Sequence, residues 1–383
     1  MTYIHELAGW PHFQWNDERL SARLAEVRHR QGRLIGRMEA LGFELRAEAS
    51  LQSLTEEVVK SSEIEGEQLD RGQVRSSLAR RLGMDISGLV PADRNVEGIV
   101  ELMLDATQNY AAPLAADRLF AWHAALFPTG RSGMTAITVG AWRTEASEPM
   151  QVVSGPFGRE KVHFQAPDAA RLDREMSSFL DWFEGEAKLD PVLKSAVAHL
   201  WFVTIHPFED GNGRIARAIA DLALARSEQN PQRFYSMSSQ IRVERKAYYD
   251  TLEATQKAGL DITNWLAWFL DCLDRALSGS DTIVGTVLHK ARFWEAFRSD
   301  QLNERQRKVL NRLLDGFEGN LTSSKWAMLT KSSQDTAGRD IDDLLKRGLL
   351  VKNPGGGRST SYSLTVLPQL LSGVASAIPY LAK

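Results

Sequence analysis

The sequence predicts a mainly α-helical protein, interrupted once by a β-hairpin and closed by a small module of helices and strands. Three observations predict it. Apolar residues recur at helical spacing over most of the chain. One stretch, Gly140 to Pro167, breaks that period with two short strand-like runs around a turn-rich segment. The last quarter sets three short helical patterns before two strand-like runs that flank a glycine tip, the layout of a winged helix-turn-helix.

Each element follows in order. Between Glu18 and Leu41 the residues Leu20, Leu24, Val27, Leu34, Ile35 and Met38 mark one face of a helix. A second helix over Glu48 to Ser62 uses Leu51, Leu54, Val58 and Val59, and a third runs from Arg71 to Leu82, where Gly83 stops it. Asn95 to Gln108 and Ala115 to Leu126 continue the helical core. The hairpin strands are Met150-Gln151-Val152-Val153 and Lys161-Val162-His163-Phe164. Asp190-Pro191 caps a long apolar helix that delivers the chain to His206, and another helix begins a few residues later. The final module comprises Asn303 to Phe317, Ser323 to Thr330 and Ser333 to Arg347, then runs at 349–352 and 361–364. The expected divisions are a helical region at 1–45, a core at 46–285 and the winged helix at 290–383, with a break near Ser278-Gly279-Ser280 or after the following helix.

Composition narrows the function classes. The 383 residues are 43% hydrophobic and 25% charged, ordinary for globular domains, and a net charge of -3 gives no global attraction to nucleic acid or anionic lipid. Cys272 is the single cysteine, so no internal disulfide forms and a buried apolar role is expected for it. The first residues lack the basic-then-apolar pattern of a signal peptide, and no apolar run approaches the ~20 residues of a membrane span. The expectation is a soluble, cytoplasmic protein that does not engage membrane.

The chemistry concentrates in His206-Pro207-Phe208-Glu209-Asp210-Gly211-Asn212-Gly213-Arg214-Ile215-Ala216-Arg217. A helix ends before it and a new one opens inside it. Gly211, Asn212 and Gly213 allow consecutive backbone N–H groups to face one point at a helix N-terminus, where the macrodipole also favours anions. Arg214 and Arg217 lie one turn apart and suit phosphate oxygens. Asp210 is a hard oxygen ligand placed for Mg²⁺, and His206 is a candidate base for an attacking hydroxyl. Phe208 is expected to anchor the loop in the core. A calcium loop is excluded: counted from Asp210, its fifth position is Arg214, its obligatory glycine is Ile215 and its twelfth residue is Asp221.

These twelve residues resemble the signature of the Fic family, His-x-Phe-x-Asp/Glu-Gly-Asn-Gly-Arg-x-x-Arg, at every fixed position. The resemblance extends over about Leu51 to Leu273 and includes Gly140-Ala141-Trp142-Arg143 ahead of the hairpin. It implies a Fic-type helical core whose hairpin is a flap, Met150 to Val153 docking the target segment as an added strand. It implies a protein adenylyltransferase that moves AMP from Mg-ATP to a Ser, Thr or Tyr hydroxyl. His206 is then the general base, Asp210 the Mg²⁺ ligand, Gly211, Asn212 and Gly213 the anion hole, and Arg214 and Arg217 the phosphate partners. Tyr248 and Tyr249 fall in a segment that lines the adenine pocket in this family, although core aromatics explain either one equally well.

Ser61-Ser62-Glu63-Ile64-Glu65-Gly66 resembles the family's inhibitory motif, Ser/Thr-x-x-x-Glu-Gly/Asn. Ser61 and Glu65 lie one turn apart on one helix face. The resemblance implies that Glu65 takes Arg217 from the γ-phosphate and inhibits in cis. Glu63 and Glu67 compete for that role but lack the serine and glycine at the right spacing. Other readings stay open: removal of AMP with help from Glu65, transfer of another nucleotide, or a DNA-binding regulator whose core senses nucleotide. Partners expected are a target protein, with self-modification and a homodimer possible. For the last module, fifteen basic against nine acidic residues over Lys290 to Lys383 favour DNA, whereas Asp335, Asp342 and Asp343 oppose it. Arg339, Lys346 and Arg358 are its candidate phosphate contacts, and docking to protein fits equally. Trp10, Phe13 and Trp15 are expected as buried anchors.

Overall fold

The computed structural model describes residues 2–84, 89–145, 149–155, 159–186, 189–317, 319–354 and 360–365. Among these, fourteen α-helices carry the fold and strands occur only as three antiparallel pairs. A 3-10 turn at Ile4–Glu6 leads to α1 (Asp17–Glu39) and α2 (Phe43–Ile64), then α3 (Arg71–Arg81), α4 (Arg94–Gln108) and α5 (Ala116–Leu126). Their starts follow from local chemistry: Asn16, Asp70 and Asp93 accept the N–H of Arg19, Gln73 and Val96 in their first turns.

Two hairpins come next. β1 (Arg131–Ser132) and β2 (Thr135–Ala136) form a tiny pair that the hydrophobic pattern does not announce, because two-residue strands have no period. β3 (Gln151–Ser154) and β4 (Lys161–Gln165) form the expected hairpin, with a register shift between Val152 and Val153; Met150 lies just before β3. The turn at 156–158 is outside the described residues.

The chain then runs through α6 (Leu172–Glu184), α7 (Pro191–Ile205), α8 (Asn212–Glu228), α9 (Met237–Val243), α10 (Arg245–Gln256) and α11 (Thr263–Ala296). α7 is buried on nearly every face and packs along α8, so its near-continuous apolar sequence reflects a central position. One core collects side chains from Ile4 to Val287. The N-terminal aromatics are half-buried rather than fully buried: Trp10 and Phe13 meet the Trp201 ring edge-on at 6.2 and 5.8 Å.

Of the two positions expected for a break, Ser278-Gly279-Ser280 lies inside α11, which passes through it without interruption with Ser280 buried. Its first turns belong to the large core, while Phe293 near its end belongs to a second one with Val309, Leu314, Trp326, Ile341 and Leu350. That second core is built by α12 (Glu304–Leu314), α13 (Ser323–Thr330), α14 (Gln334–Lys346) and the antiparallel pair β5 (Leu350–Lys352) and β6 (Tyr362–Leu364). Arg358 is outside the described residues. Glu48 of α2, Arg75 of α3, Lys290 of α11 and Asp315 form a ring of ion pairs at 2.7–3.1 Å that ties this module to α2 and α3.

α4 and α5 cross closely at Gly98. A Cβ on Gly98 would stand 1.8 Å from the Ala125 carbonyl oxygen, a backbone atom that cannot move aside. Gly98→Ala is therefore expected to destabilise by about 1–3 kcal/mol through overpacking. Gly32→Ala, on α1 with nothing within 4 Å of the new methyl, is expected to gain up to ~1 kcal/mol. Thermal melts of the two variants should move in opposite directions; equal shifts would contradict this packing.

Candidate functional site

The site is built where α7 hands the chain to α8. α7 ends with His206 in the left-handed region (φ 52°), a conformation that histidine tolerates better than branched residues do. Gly211 (φ 82°) repeats that conformation just before α8. A Cβ there would also press on the Phe127 ring at 2.9 Å, so glycine is required twice over.

Phe208 is fully buried and stacks on His123 with centroids 4.2 Å apart, which pins the loop from below. Asn212 closes it from within. The Phe208 N–H donates to Asn212 Oδ1 at 3.0 Å, and Asn212 Nδ2 donates to the Phe208 carbonyl at 2.8 Å. The asparagine side chain thus shapes the loop, leaving its backbone N–H among the first-turn donors of α8 that have no intrahelical acceptor.

Arg143, which precedes the hairpin, ties three pieces together. Its N–H donates to Pro207 O at 2.8 Å, its Nε to His206 O at 2.9 Å, and its Nη2 to Pro167 O. His123 accepts from the Gly140 N–H and donates through Nε2 to Asp210 O. Asp210 itself receives the Gly211 N–H at 2.6 Å and the Ser132 hydroxyl from β1. His123 and Ser132 were not singled out from sequence; nothing local marks them, since each meets the loop across about eighty residues.

His206 Nδ1 donates to the Val203 carbonyl at 3.3 Å, leaving the Nε2 lone pair as its basic atom. Burial, aided by the nearby Arg143 charge, lowers its pKa to about 4, so the ring is neutral near pH 7.

Arg217 lies under the loop at 2% exposure. Its Nε donates to Ser61 Oγ and its Nη2 to Ser61 O, both at 2.9 Å. The same Nη2 is 2.8 Å from Glu65 Oε1. Burial works against the Arg217 charge, but Glu65 and the two neighbouring tyrosines outweigh it and raise its pKa. Glu65 also reaches over the loop: a Cβ on Gly213 would be 2.2 Å from Glu65 Oε1, so glycine at 213 makes room for that carboxylate. Ser61 therefore partners the arginine directly, which its spacing from Glu65 alone does not reveal. Arg214 pairs with Glu67 at 2.8 Å. Glu67, set aside on spacing, is thus in the site, whereas Glu63 faces Lys60 and Arg242. Arg217 Nη1 and Arg214 Nε are buried donors without a partner among the described residues.

The two tyrosines of α10 separate. Tyr249 is half-buried, with its hydroxyl 3.4 Å from Glu65 Oε2. Tyr248 is 1% exposed and hydrogen-bonded to His199 at 2.9 Å. Of the two readings open for it, base pocket or core aromatic, its burial favours the core.

The hairpin sits beside the loop through Arg143 and Pro167. Phe164 buries against Tyr3 and His5, and His5 Nε2 donates to Gln165 O at 2.9 Å. His163 Nδ1 lies 2.5 Å from Glu253 on α10. Gln151, Val153 and Ser154 remain exposed.

With this geometry in hand, comparison with known proteins gives two family matches. Residues 113–224 match the model of the Fic/DOC family. Over those residues the chain is similar to a Fic domain. Residues 3–84 match a domain of unknown function, DUF4172. Protein adenylyltransferase Fic of Culex quinquefasciatus is 32% identical over 131 residues, covering 33% of this chain and 25% of that protein. Protein adenylyltransferase fic-1 of Caenorhabditis elegans is 42% identical over 55 residues, 14% and 11% of the two chains. The chain thus spans about a quarter or less of the length of these relatives. A Fic family protein from Desulfovibrio desulfuricans G20 aligns with a TM-score of 0.49 at 22% identity, covering 91% of this chain and 96% of that one. Residues 134–508 of C. elegans Fic-1 align with a TM-score of 0.44 at 21% identity, covering 68% and 72%.

Burial lowers the pKa of three histidines in and beneath the loop: His123 to about 4, His199 to about 3 and His206 to about 4. An unfolded chain protonates these rings as pH falls through about 6.5, while the folded chain resists until about pH 4. Their contribution to stability is thus complete above pH 6.5 and declines between 6.5 and 4. The urea midpoint should fall from pH 7.5 to pH 5, and His199→Gln should flatten that slope. A slope unchanged by the substitution would show that His199 is not held neutral.

Proposed function

We propose that this chain transfers AMP from ATP to a Ser, Thr or Tyr hydroxyl of a protein, and that Glu65 restrains the reaction in cis. The observation that carries this reading is the convergence on one loop of a neutral histidine, an open helix N-terminus and two buried arginines with unpartnered donors.

The chemistry follows from those positions. The N–H groups at the start of α8 and the guanidinium groups of Arg214 and Arg217 take the phosphate chain of ATP. The acceptor hydroxyl gives its proton to His206 Nε2 as its oxygen attacks the α-phosphorus. The bond from that phosphorus to the pyrophosphate oxygen breaks, and pyrophosphate stays on the arginines until it leaves. Burial keeps His206 neutral near pH 7, so its Nε2 lone pair is free to accept that proton. Asp210, fixed by Ser132 and by its neighbouring N–H, fits the single-carboxylate holding of Mg²⁺ beside phosphates. Mg²⁺ supplies charge neutralisation across the phosphate oxygens when bound. The flap, with its exposed residues at 151, 153 and 154, accepts the target segment as a further strand. Tyr249 borders the base side of the site.

Glu65 restrains transfer by holding Arg217 and standing over Gly213, in the space a phosphate would fill. A charge-assisted bond of this kind contributes about 1.5–3 kcal/mol, or ten- to about a hundredfold in an equilibrium. For the C-terminal module we favour protein docking over DNA. The exposed ridge of α14 alternates Asp335, Arg339, Asp342 and Lys346, which offers phosphate no continuous basic face. No described helix is long and apolar enough to cross a membrane.

The test is labelling of a lysate with radioactive ATP, and with UTP and GTP in parallel. Glu65→Gly should label proteins ten- to a hundredfold more than wild type, and adding His206→Ala should abolish the signal. Labelling that survives His206→Ala would remove the proposed base, and equal labelling by wild type and Glu65→Gly would remove the restraint.

A further inference from the structure

The segment that closes α2 places more than one carboxylate in the site. Gly66 is left-handed (φ 87°), its N–H donates to Glu63 O, and the Glu67 N–H reaches back to Ser62 O at 3.0 Å. That is the closure of a helix by a left-handed residue, and it turns the following chain back beside the helix end. Glu65, just before the glycine, and Glu67, just after it, both reach α8 as a result. Their partners Arg217 and Arg214 are three residues apart on α8 and share one face. A fork of two carboxylates thus meets a fork of two guanidinium groups, at 2.8 Å on each tine.

The neighbouring groups show how specific this is. Glu63, the other carboxylate of the segment, is held by Lys60 at 2.8 Å and Arg242 at 3.5 Å and stays out of the site. Arg214 is 9% exposed with its guanidinium over the Phe127 ring at 5.2 Å, and Glu67 is its one ion-pair partner among the described residues. A cation so enclosed needs an anion beside it.

We propose that Glu67 is a second stopper: it occupies Arg214 as Glu65 occupies Arg217, and so sets how tightly the site takes the polyphosphate of a nucleotide. This rests on Arg214 and Arg217 being phosphate ligands. It follows that removing Glu65 alone frees half of the arginine pair. Both carboxylates are about one-third exposed, but the Arg214 side chain is 9% exposed against 2% for Arg217, so the Glu67 pair is the better screened and its share the smaller one.

The experiment measures equilibrium binding of ATP to the full chain by calorimetry, in a His206→Ala background that prevents turnover. Glu67→Gln keeps the shape of the side chain and removes its charge, and should tighten ATP binding by about two- to fivefold. Glu67→Ala should give the same direction, and Glu65→Gly with Glu67→Gln should bind more tightly than either alone. With His206 restored, the double variant should label proteins more strongly than Glu65→Gly. If neither Glu67 variant tightens ATP binding in either Glu65 background, Glu67 is not a stopper, even where Glu65→Gly labels proteins as expected. Tighter binding without any protein labelling would instead uphold the stopper and overturn the transfer reaction.

Discussion

Arg217 is a permanent cation enclosed to 2% exposure, and the arrangement of the site follows from its need for oxygen partners. Ser61 meets part of that need with its hydroxyl and its carbonyl, both neutral. The remaining charge calls for an anion. Glu65 supplies one at 2.8 Å while a third of its own side chain stays exposed to water. Ser61 is buried in the last turn of α2, whereas Glu65 is the residue that closes that helix. One partner is thus fixed by packing, and the other is held at the helix end by its charge.

The loop beneath that carboxylate is held stiffly. Left-handed backbone at His206 costs energy that neighbouring bonds must cover. Arg143 grips its carbonyl, Val203 its ring, and the Asn212 amide locks the chain two residues further on. Under them the stacked rings of Phe208 and His123 prevent the loop from sinking into the core. Such a loop presents its donors without rearrangement, which is what stabilising a transient charge requires.

What sequence reveals here depends on separation along the chain. The twelve residues from His206 to Arg217 lie together in space because they lie together in sequence, so their chemistry is legible as spelling. The main helices are legible for the same reason, from apolar period and capping residues. Contacts across long separations carry no such mark. Glu67 meets Arg214 at a distance of 147 residues, and the spacing rule that favours Glu65 passes over Glu67 because it assumes a helix where Gly66 reverses the chain. Ser278-Gly279-Ser280 reads as a break, but packing holds α11 straight through it, since tertiary contacts outweigh about 1 kcal/mol of glycine propensity. Tyr248 and Tyr249 have the same composition and opposite surroundings; only the helix phase, set by Trp265 and Trp268 beneath Tyr248, separates them.

The N-terminal unit touches the site at two ends. Its first residues support the flap, with Tyr3 and His5 against Phe164 and Gln165, and its second helix reaches the arginines. The Glu48–Arg75–Lys290–Asp315 ring anchors that helix at its other end to the C-terminal module. Lifting α2 away as a body would strip Ser61 from Arg217, break the ring and expose a row of buried apolar side chains together. Withdrawing one exposed carboxylate breaks a single ion pair. The cheaper route to an open site is therefore a local change at the end of α2, beyond Ser61, with the helix itself left in place.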